Sequence, residues 1–226
     1  MQKNVWPIAY IENDFKEKFG IPRQSGRAPS VLSKVVFLPE YRSIDAIRGL
    51  EEFSHVWLIF DFSKSHCDKF SPTVRPPRLG GNKRVGVFAS RSPFRPNSLG
   101  LSCVKIERIE LRGDNAPFLV VSGADILNGT PIYDIKPYLP HADCIAHAKG
   151  GYSTQAVNHK LIVEFEDGIE QIIDPNSITP LKECLADDPR PSYQEGGRIY
   201  GMTFANYNIK FIVNDNVLTV ISVQKV

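Results

Sequence analysis

Short apolar segments with the composition of β-strands follow one another along the first 125 residues, with almost no helix between them. Each is rich in Val, Ile or aromatic residues. The segments are 6–11, 31–38, 55–62, 84–89, 101–111 and 118–125. Only 41–50 spaces its apolar residues by three, which predicts one short helix. Because parallel strands need crossover helices, this order predicts a mainly β fold built on an antiparallel barrel or sandwich.

The chain changes character after Lys149, where the pair Gly150-Gly151 marks a boundary. Residues 155–226 contain six Lys or Arg and ten Asp or Glu, a net charge of −4. Thr179-Pro180 has the favoured order for a helix start, and we expect that helix to end before Pro189. Strands are predicted at 160–165, 169–173, 199–204, 209–213 and 218–223. The sequence therefore predicts a barrel domain at 1–152 and a small α+β domain at 153–226.

Positive charge is concentrated in one window of the chain. The whole chain has a net charge of +2, but residues 69–106 contain eight Lys or Arg and no Asp or Glu. Outside the window, 19 basic residues stand against 25 acidic ones, a net charge of −6. Such a concentrated positive field attracts an anion such as RNA. A solvated basic face without a ligand is the alternative interpretation.

Proline and glycine shape the same window. They make up nine of the 29 residues in 72–100. Proline fixes φ and glycine permits positive φ, so the stretch predicts rigidly shaped loops that hold Arg75, Arg78, Arg91 and Arg95 in fixed positions. Guanidinium groups match phosphates and carboxylates. Ion pairs with acidic residues elsewhere in the chain are the alternative.

Several large classes of protein are excluded by missing motifs. No two glycines are separated by a single residue, so the dinucleotide fingerprint Gly-x-Gly-x-x-Gly is absent. The five His and four Cys have no metal-ligand spacing, so we expect no bound metal, and we place His66-Cys67 on a surface loop. We expect the cysteines to be reduced, and a buried structural cysteine is preferred to a catalytic one. The longest aliphatic or aromatic run, 56–60, is too short to span a membrane, and no signal peptide is readable. We expect a cytoplasmic protein that does not bind membranes.

A second candidate cluster covers residues 125–139. Asn128-Gly129 is a tight-turn signal, and exposed amides at such a turn can bind the polar edge of a small ligand. Asp134, Lys136 and Tyr138 lie on one side if the segment after the turn is extended. A hairpin with a structural ion pair is the alternative.

Three strings in these two regions closely resemble the TsaA-like family, also called TrmO, of S-adenosylmethionine-dependent tRNA methyltransferases. They are TVRPPRLGG at 73–81, GVFASRSPFRPNSLG at 86–100, and NGTP at 128–131 followed by DIKPY at 134–138. The resemblance runs from about residue 6 to residue 152. DPRPSY at 188–193 and YGM at 200–202 are similar to the smaller C-terminal domain of the family.

The resemblance implies a β-barrel methyltransferase domain, typically homodimeric, that binds S-adenosyl-L-methionine without a Rossmann loop. The implied reaction methylates N6 of the threonylcarbamoyladenosine next to the anticodon of threonine tRNA. Many relatives have His at the position of Ser63 and an acidic residue at the position of Asn128. The implied cofactor-binding residues are Pro22, Arg23, Gln24, Ser63, Lys64, Arg91, Leu101, Ile126, Leu127, Asn128, Gly129 and Thr130.

The implied chemistry suggests further roles. Methyl transfer is an in-line displacement, so holding the two reactants in place supplies most of the catalysis. The carbonyl attached to N6 acidifies it; if a base is used, Asp134 is the candidate, with Tyr138 as a positioning group, and a structural Asp134–Lys136 pair is the alternative. The candidates for binding anticodon-loop phosphates are Arg75, Arg78, Lys83 and Arg95, and unstacked bases would stack on Phe94 or Tyr133. The competing functions are a non-catalytic RNA-binding barrel and a small-molecule methyltransferase of the same fold.

Overall fold

The computed structural model describes residues 4–67, 69–76, 79, 82–156, 160–190 and 197–226. The strands are β1 Ala9–Glu12, β2 Leu32–Phe37, β3 His55–Asp61, β4 Thr73–Val74, β5 Val85–Gly86, β6 Leu99–Glu110, β7 Phe118–Ser122, β8 Pro131–Pro137, β9 Ile162–Phe165, β10 Tyr200–Phe204, β11 Tyr207–Asn214 and β12 Val217–Lys225. The α-helices are α1 Pro140–Asp143 and α2 Pro175–Ala186. None of the helices in these ranges is long and apolar enough to cross a membrane.

Six strands form a closed antiparallel barrel in the order β1-β2-β7-β6-β3-β8. Alternation along each strand builds its core: in β3, Val56, Leu58 and Phe60 are buried while the residues between them are partly exposed. Gly100 on β6 is needed beside this core, because a Cβ there would lie 2.2 Å from Cζ of Phe60. The predicted mainly β fold with an antiparallel barrel is confirmed.

A second sheet forms in the C-terminal part, in the order β10-β11-β12-β9. Its first three strands are antiparallel, and β9 runs parallel to β12. The turn Asp215-Asn216 joins β11 to β12 directly, with Asp215 at a φ of 52°. Leu181 and Leu185 of α2 are fully buried in the same hydrophobic cluster as this sheet.

The segment between β1 and β2, residues 13–31, is called the strap. It contributes Phe15, Ala28 and Val31 to the hydrophobic cluster of the C-terminal sheet. The Phe15 ring lies edge-on to Phe204 with 5.9 Å between centroids. The strap therefore connects the barrel to the C-terminal part of the chain.

Two helix predictions were wrong in detail. The helix expected over 41–50 is replaced by short 3-10 turns at Pro39–Tyr41, Asp45–Ile47 and Leu50–Glu52. Gly49, at a φ of 86°, interrupts any continuous helix. The helix expected from Thr179-Pro180 begins earlier because Asp174 caps it, accepting a 2.8 Å hydrogen bond from the Asn176 amide.

Two strand predictions were also wrong. Residues 169–173 contain a 3-10 turn, Glu170–Ile172, which is closed by hydrogen bonds from the Ile172 and Ile173 amides to the carbonyls of Ile169 and Glu170. The predicted strand 84–89 is reduced to β5, and Val87–Ala89 forms a 3-10 turn after it. This turn is closed by the Ser90 amide and hydroxyl, which both donate to the Val87 carbonyl.

Candidate functional site

A cavity of about 1320 Å³ lies at one end of the barrel. The antiparallel order brings the ends of β1, β3 and β7 to this end together with the starts of β2, β6 and β8. Three connections therefore meet there: the strap, the basic loop (residues 62–98, between β3 and β6) and the β7–β8 turn (residues 123–130). All three line the cavity, and Tyr152 adds a residue from beyond the barrel.

Ten of the twelve predicted cofactor-binding residues line this cavity. They come from four separate parts of the chain, which the barrel brings together. The ten are Pro22, Arg23, Gln24, Ser63, Lys64, Arg91, Leu101, Ile126, Leu127 and Thr130.

Asn128 and Gly129 lie in the same turn but are engaged in structural contacts. Oδ1 of the Asn128 side chain accepts a 2.9 Å hydrogen bond from the backbone amide of Asn13. The backbone amide of Asn128 donates to the Phe15 carbonyl at 3.0 Å. The Gly129 amide donates to the Ile11 carbonyl at 2.8 Å. The turn is thereby tied to β1 and the strap. A carboxylate in place of Asn128 would offer the same acceptor oxygen.

A polar cluster crosses the cavity between the strap and the β7–β8 turn. Arg91 donates from Nη1 to Oε1 of Gln24 at 2.7 Å. Asp125 accepts a hydrogen bond from the Ser102 hydroxyl. Burial raises the pKa of Asp125, and the Ser102 hydrogen bond and the Arg91 charge offset this only in part. The cavity therefore holds a guanidinium beside a partly desolvated carboxyl group.

Asp125 and a second carboxylate, Asp61, are cavity residues that the sequence predictions missed. Asp61 ends β3, is 7% exposed, and forms a 2.7 Å hydrogen bond with Nε2 of His66. His66 itself is exposed, as predicted. The sequence signal that could have indicated them is a single acidic residue at the end of an apolar segment predicted to be a strand, which occurs in 55–61 and in 118–125.

The catalytic candidates Asp134 and Tyr138 lie outside the cavity lining. Asp134 on β8 pairs with Ile59 on β3, and Ile59 pairs with Leu101 on β6, which lines the cavity. Asp134 therefore lies on the same face of the sheet as Leu101, two strands or about 10 Å away. Its carboxylate is 3.1 Å from Nζ of Lys136. Tyr138 lies at the far end of β8, with its ring 5.9 Å from that of Trp57.

The basic loop places positive and aromatic side chains around the cavity. Of the four predicted phosphate-binding residues, Arg75 and Arg95 line the cavity, Lys83 is exposed nearby in sequence, and Arg78 lies outside the described residues. Arg95 donates from Nη1 to the Ser90 carbonyl at 2.7 Å and lies 5.9 Å from the centroid of the Phe88 ring. Arg95 therefore also holds its own loop.

Exposed aromatic rings accompany these cations. Phe70 and Phe94 line the cavity, and Phe88 is 74% exposed. Tyr133, the other predicted stacking residue, is half-buried on β8 outside the cavity lining. The surface thus offers apolar rings next to guanidinium groups.

The cysteines differ from one another in burial. Cys184 is buried in the C-terminal cluster, but Cys67 and Cys144 are exposed and Cys103 is half-buried. Cys67 lies on a surface loop, as predicted, whereas the expectation of a buried structural cysteine was wrong for Cys144. Within the described part of the chain, no group of three or more His, Cys, Asp or Glu is placed to hold a metal ion.

Comparisons with known proteins match both parts of the chain. A family model described as the tRNA-methyltransferase O N-terminal domain matches residues 10–144, and one described as the TrmO C-terminal domain matches residues 158–226. The chain is 39% identical over 217 residues to the tRNA (adenine(37)-N6)-methyltransferase of Escherichia coli K12, covering 92% of each protein. A relative from Pseudomonas aeruginosa, 43% identical over 211 residues and covering 89% of each protein, has a name that points to S-adenosylmethionine-dependent methyl transfer.

Solved structures share the whole architecture. A crystal structure of TrmO from Pseudomonas aeruginosa superposes with a TM-score of 0.80 at 34% identity, covering 99% of each chain. The match therefore includes the barrel, the strap and the C-terminal sheet together. On the evidence of both family models and of relatives matched along nearly their full length, this chain belongs to the TrmO family.

Proposed function

We propose that this chain is an S-adenosylmethionine-dependent tRNA methyltransferase that methylates N6 of the adenosine next to the anticodon, in its threonylcarbamoyl form, in threonine tRNA. The observation that carries the proposal is the cavity at the barrel end, which combines a cofactor-sized pocket with a basic, aromatic rim. The name of the E. coli relative supports methylation of N6 of a tRNA adenine, and that of the P. aeruginosa relative supports S-adenosylmethionine as the methyl donor. The threonylcarbamoyl form and threonine tRNA are proposed from the family resemblance.

The residues present fit the cofactor. S-adenosylmethionine carries a carboxylate, an ammonium group and a sulfonium, and it supplies the electrophilic methyl group when bound. Arg91 would hold the carboxylate, and the half-buried Asp125 would hold the ammonium group. Leu101, Ile126 and Leu127 supply apolar surface for the adenine ring. A cavity of about 1320 Å³ exceeds the usual upper limit of roughly 1,000 Å³ for a small-molecule site, leaving room for a target nucleoside.

The rim of the cavity suits an unstacked RNA loop. Arg75, Arg84 and Lys69 line the cavity, and the window 69–106 to which they belong contains no acidic residue. Phosphates bind such cations, while bases splayed from an anticodon loop stack on exposed rings such as Phe94 and Phe88. The barrel end would then bind the nucleoside inside the cavity and the flanking phosphates outside it.

Proton removal from N6 has two candidate acceptors in this chain. That Asp134 accepts the proton, with Tyr138 as a positioning group, stays a prediction. The alternative is that Asp134 has a structural role in its ion pair with Lys136. Asp61 is the alternative because it lines the cavity and bonds His66. The kcat values of Asp134→Asn and Asp61→Asn at saturating substrates distinguish them: the acceptor's variant loses turnover while retaining cofactor affinity.

Three further parts of the proposal concern organisation. Two hydrophobic clusters support a division of the chain into two domains with a boundary at 152/153, although strap residues Phe15, Ala28 and Val31 belong to the C-terminal cluster. A homodimer is proposed from the family resemblance, and a cytoplasmic location from the scattered cysteines. Light scattering of the purified protein measures its oligomeric state, and a mass equal to that of one chain would exclude the dimer.

The test of the function mixes the protein, methyl-labelled S-adenosylmethionine and two pools of threonine tRNA, one with and one without the threonylcarbamoyl group. The proposal predicts label only in the modified pool. Equal label in both pools would disprove the requirement for the modified base. Binding of tRNA without label in either pool would instead indicate a non-catalytic RNA-binding barrel.

A further inference from the structure

The strap is a cavity wall that has no regular secondary structure of its own. Its residues Lys18, Ile21, Pro22, Arg23 and Gln24 line the cavity. The other side of the same segment faces α2 and the C-terminal sheet. Whatever fixes the strap from that side therefore fixes one wall of the proposed cofactor pocket.

Two carboxylates from α2 and its C-terminal cap hold the strap through hydrogen bonds. Asp187 accepts from the Arg23 amide at 3.3 Å and from Nε of Arg27 at 2.5 Å. Glu183 accepts from both the amide and the hydroxyl of Ser30, at 2.8 and 2.9 Å. The spacing of four residues places both carboxylates on one side of the helix end.

These contacts are sheltered from solvent. The Asp187 side chain is 5% exposed and that of Arg27 is 18% exposed. A charge-assisted hydrogen bond in such a site is stronger than its surface equivalent. The Arg23 guanidinium also donates to the Arg190 carbonyl at 2.5 Å, which adds a third contact from the C-terminal part.

Apolar packing and hydrogen bonds hold different sides of this stretch of the strap. Phe19 stacks on Tyr200 and Phe211 of the C-terminal sheet, with 6.4 Å between the ring centroids in each pair. On the side of α2, a pocket of about 150 Å³ is lined by strap residues 18–23 and by Cys184, Asp187, Asp188 and Pro189. The hydrogen bonds that Asp187 accepts beside this pocket set the position of Arg23.

The position of the strap reaches the candidate cofactor residues directly. Gln24 follows Arg23 and accepts the hydrogen bond from Arg91 at 2.7 Å. We infer that Asp187, assisted by Glu183, is a positioning residue through which the C-terminal part of the chain shapes the cofactor pocket. This inference rests on the proposed function, because it concerns the affinity of that pocket for S-adenosylmethionine.

The test measures S-adenosylmethionine binding by calorimetry, without tRNA, for Asp187→Asn and for a matched control. Glu170→Gln is the control because it removes an ion pair with Lys182 of the same helix, away from the strap. We expect Asp187→Asn to weaken cofactor binding about tenfold, the loss of one charge-assisted hydrogen bond, while Glu170→Gln binds like the wild type. At saturating cofactor, kcat of Asp187→Asn should stay close to that of the wild type, so the effect falls on KM.

Hydrogen exchange of the strap supplies an independent readout. Residues 18–27 should exchange faster in Asp187→Asn, and Glu183→Gln should show the same change to a smaller extent, while Glu170→Gln leaves them unchanged. Equal cofactor affinity in Asp187→Asn and the wild type would overturn the inference, as would equal weakening in the Glu170→Gln control. If the wild-type chain binds no S-adenosylmethionine, the proposed function itself fails, which is a different result from equal binding by wild type and variant.

Discussion

Arg91 in the basic loop donates a hydrogen bond to Gln24 in the strap, 67 residues away in the chain, with 2.7 Å between Nη1 and Oε1. Both residues line the cavity at the barrel end. The contact links the most basic part of the chain to the wall that the C-terminal residues hold in place. It therefore orients a guanidinium group into the pocket before any ligand binds.

Arg91→Lys should weaken S-adenosylmethionine binding about tenfold, because an ammonium group cannot bond Gln24 and a ligand carboxylate with the same planar fork. Calorimetry measures the change. Arg112→Lys is the control, since Arg112 is exposed in the connection between β6 and β7. Unchanged affinity in Arg91→Lys would exclude Arg91 from cofactor binding.

Asp125→Asn should be more thermally stable than the wild type at neutral pH and should bind the cofactor more weakly. Burial raises the pKa of Asp125, so the folded state binds this proton more tightly than the unfolded state. The stability that this carboxyl contributes is present at acidic pH and is lost as the pH rises through its folded pKa.

The Tm difference between Asp125→Asn and the wild type should therefore grow from about pH 4 to about pH 7. Scanning calorimetry across that range measures it. Asp114→Asn, in the exposed connection after β6, is the control. A Tm difference that is constant with pH would contradict the account of Asp125.

Arg75→Ala combined with Lys83→Ala should weaken tRNA binding and make its salt dependence less steep. The negative slope of log K against log salt should decrease in magnitude by about 1.4 to 1.8, because each phosphate contact contributes roughly 0.7 to 0.9. Cofactor affinity should not change. Lys210→Ala with Lys225→Ala removes the same charge from exposed positions on the C-terminal sheet. If both double variants change the slope equally, only net charge matters and these two residues contact no phosphate.

Phe88→Ala should weaken tRNA binding by about fivefold or more, since stacking of one base on an aromatic ring contributes roughly 1–3 kcal/mol. Phe88 is 74% exposed, so the substitution removes little packing. Phe88→Tyr keeps the ring and should bind tRNA normally. Filter binding with unmodified anticodon stem-loops measures both, and equal loss in the Tyr and Ala variants would argue against stacking.

Local sequence patterns predicted the elements whose structure depends mainly on their own residues. The apolar run of β3 and the turn between β11 and β12 are examples. Where two similar signals compete, the pattern misleads: Thr179-Pro180 is a good helix start, but Asp174-Pro175 offers the same cap and first turn five residues earlier. Burial of Leu181 and Leu185 then stabilises the longer helix despite Pro180.

Charge and turn signals indicated the basic loop and the turn after residue 125, but that these meet the strap at one cavity was predictable only through the family motifs. Its walls come from separate segments, and no local pattern relates Gln24 to Arg91, which is 67 residues away. Asp61 and Asp125 were missed because a single carboxylate at a strand end has the same sequence appearance as a solvent-exposed one. The contacts of Asp187 with the strap span 160 residues or more, so they depend entirely on the tertiary fold.

Transfer of a methyl group to N6 of threonylcarbamoyladenosine in threonine tRNA is measured by mass spectrometry of nucleosides from tRNA incubated with the protein and S-adenosylmethionine. We expect threonylcarbamoyladenosine to gain the mass of one methylene group on its base, and Arg91→Lys to slow this gain at limiting cofactor. Unchanged threonylcarbamoyladenosine, or a methyl group on any other nucleoside, would contradict the proposed reaction.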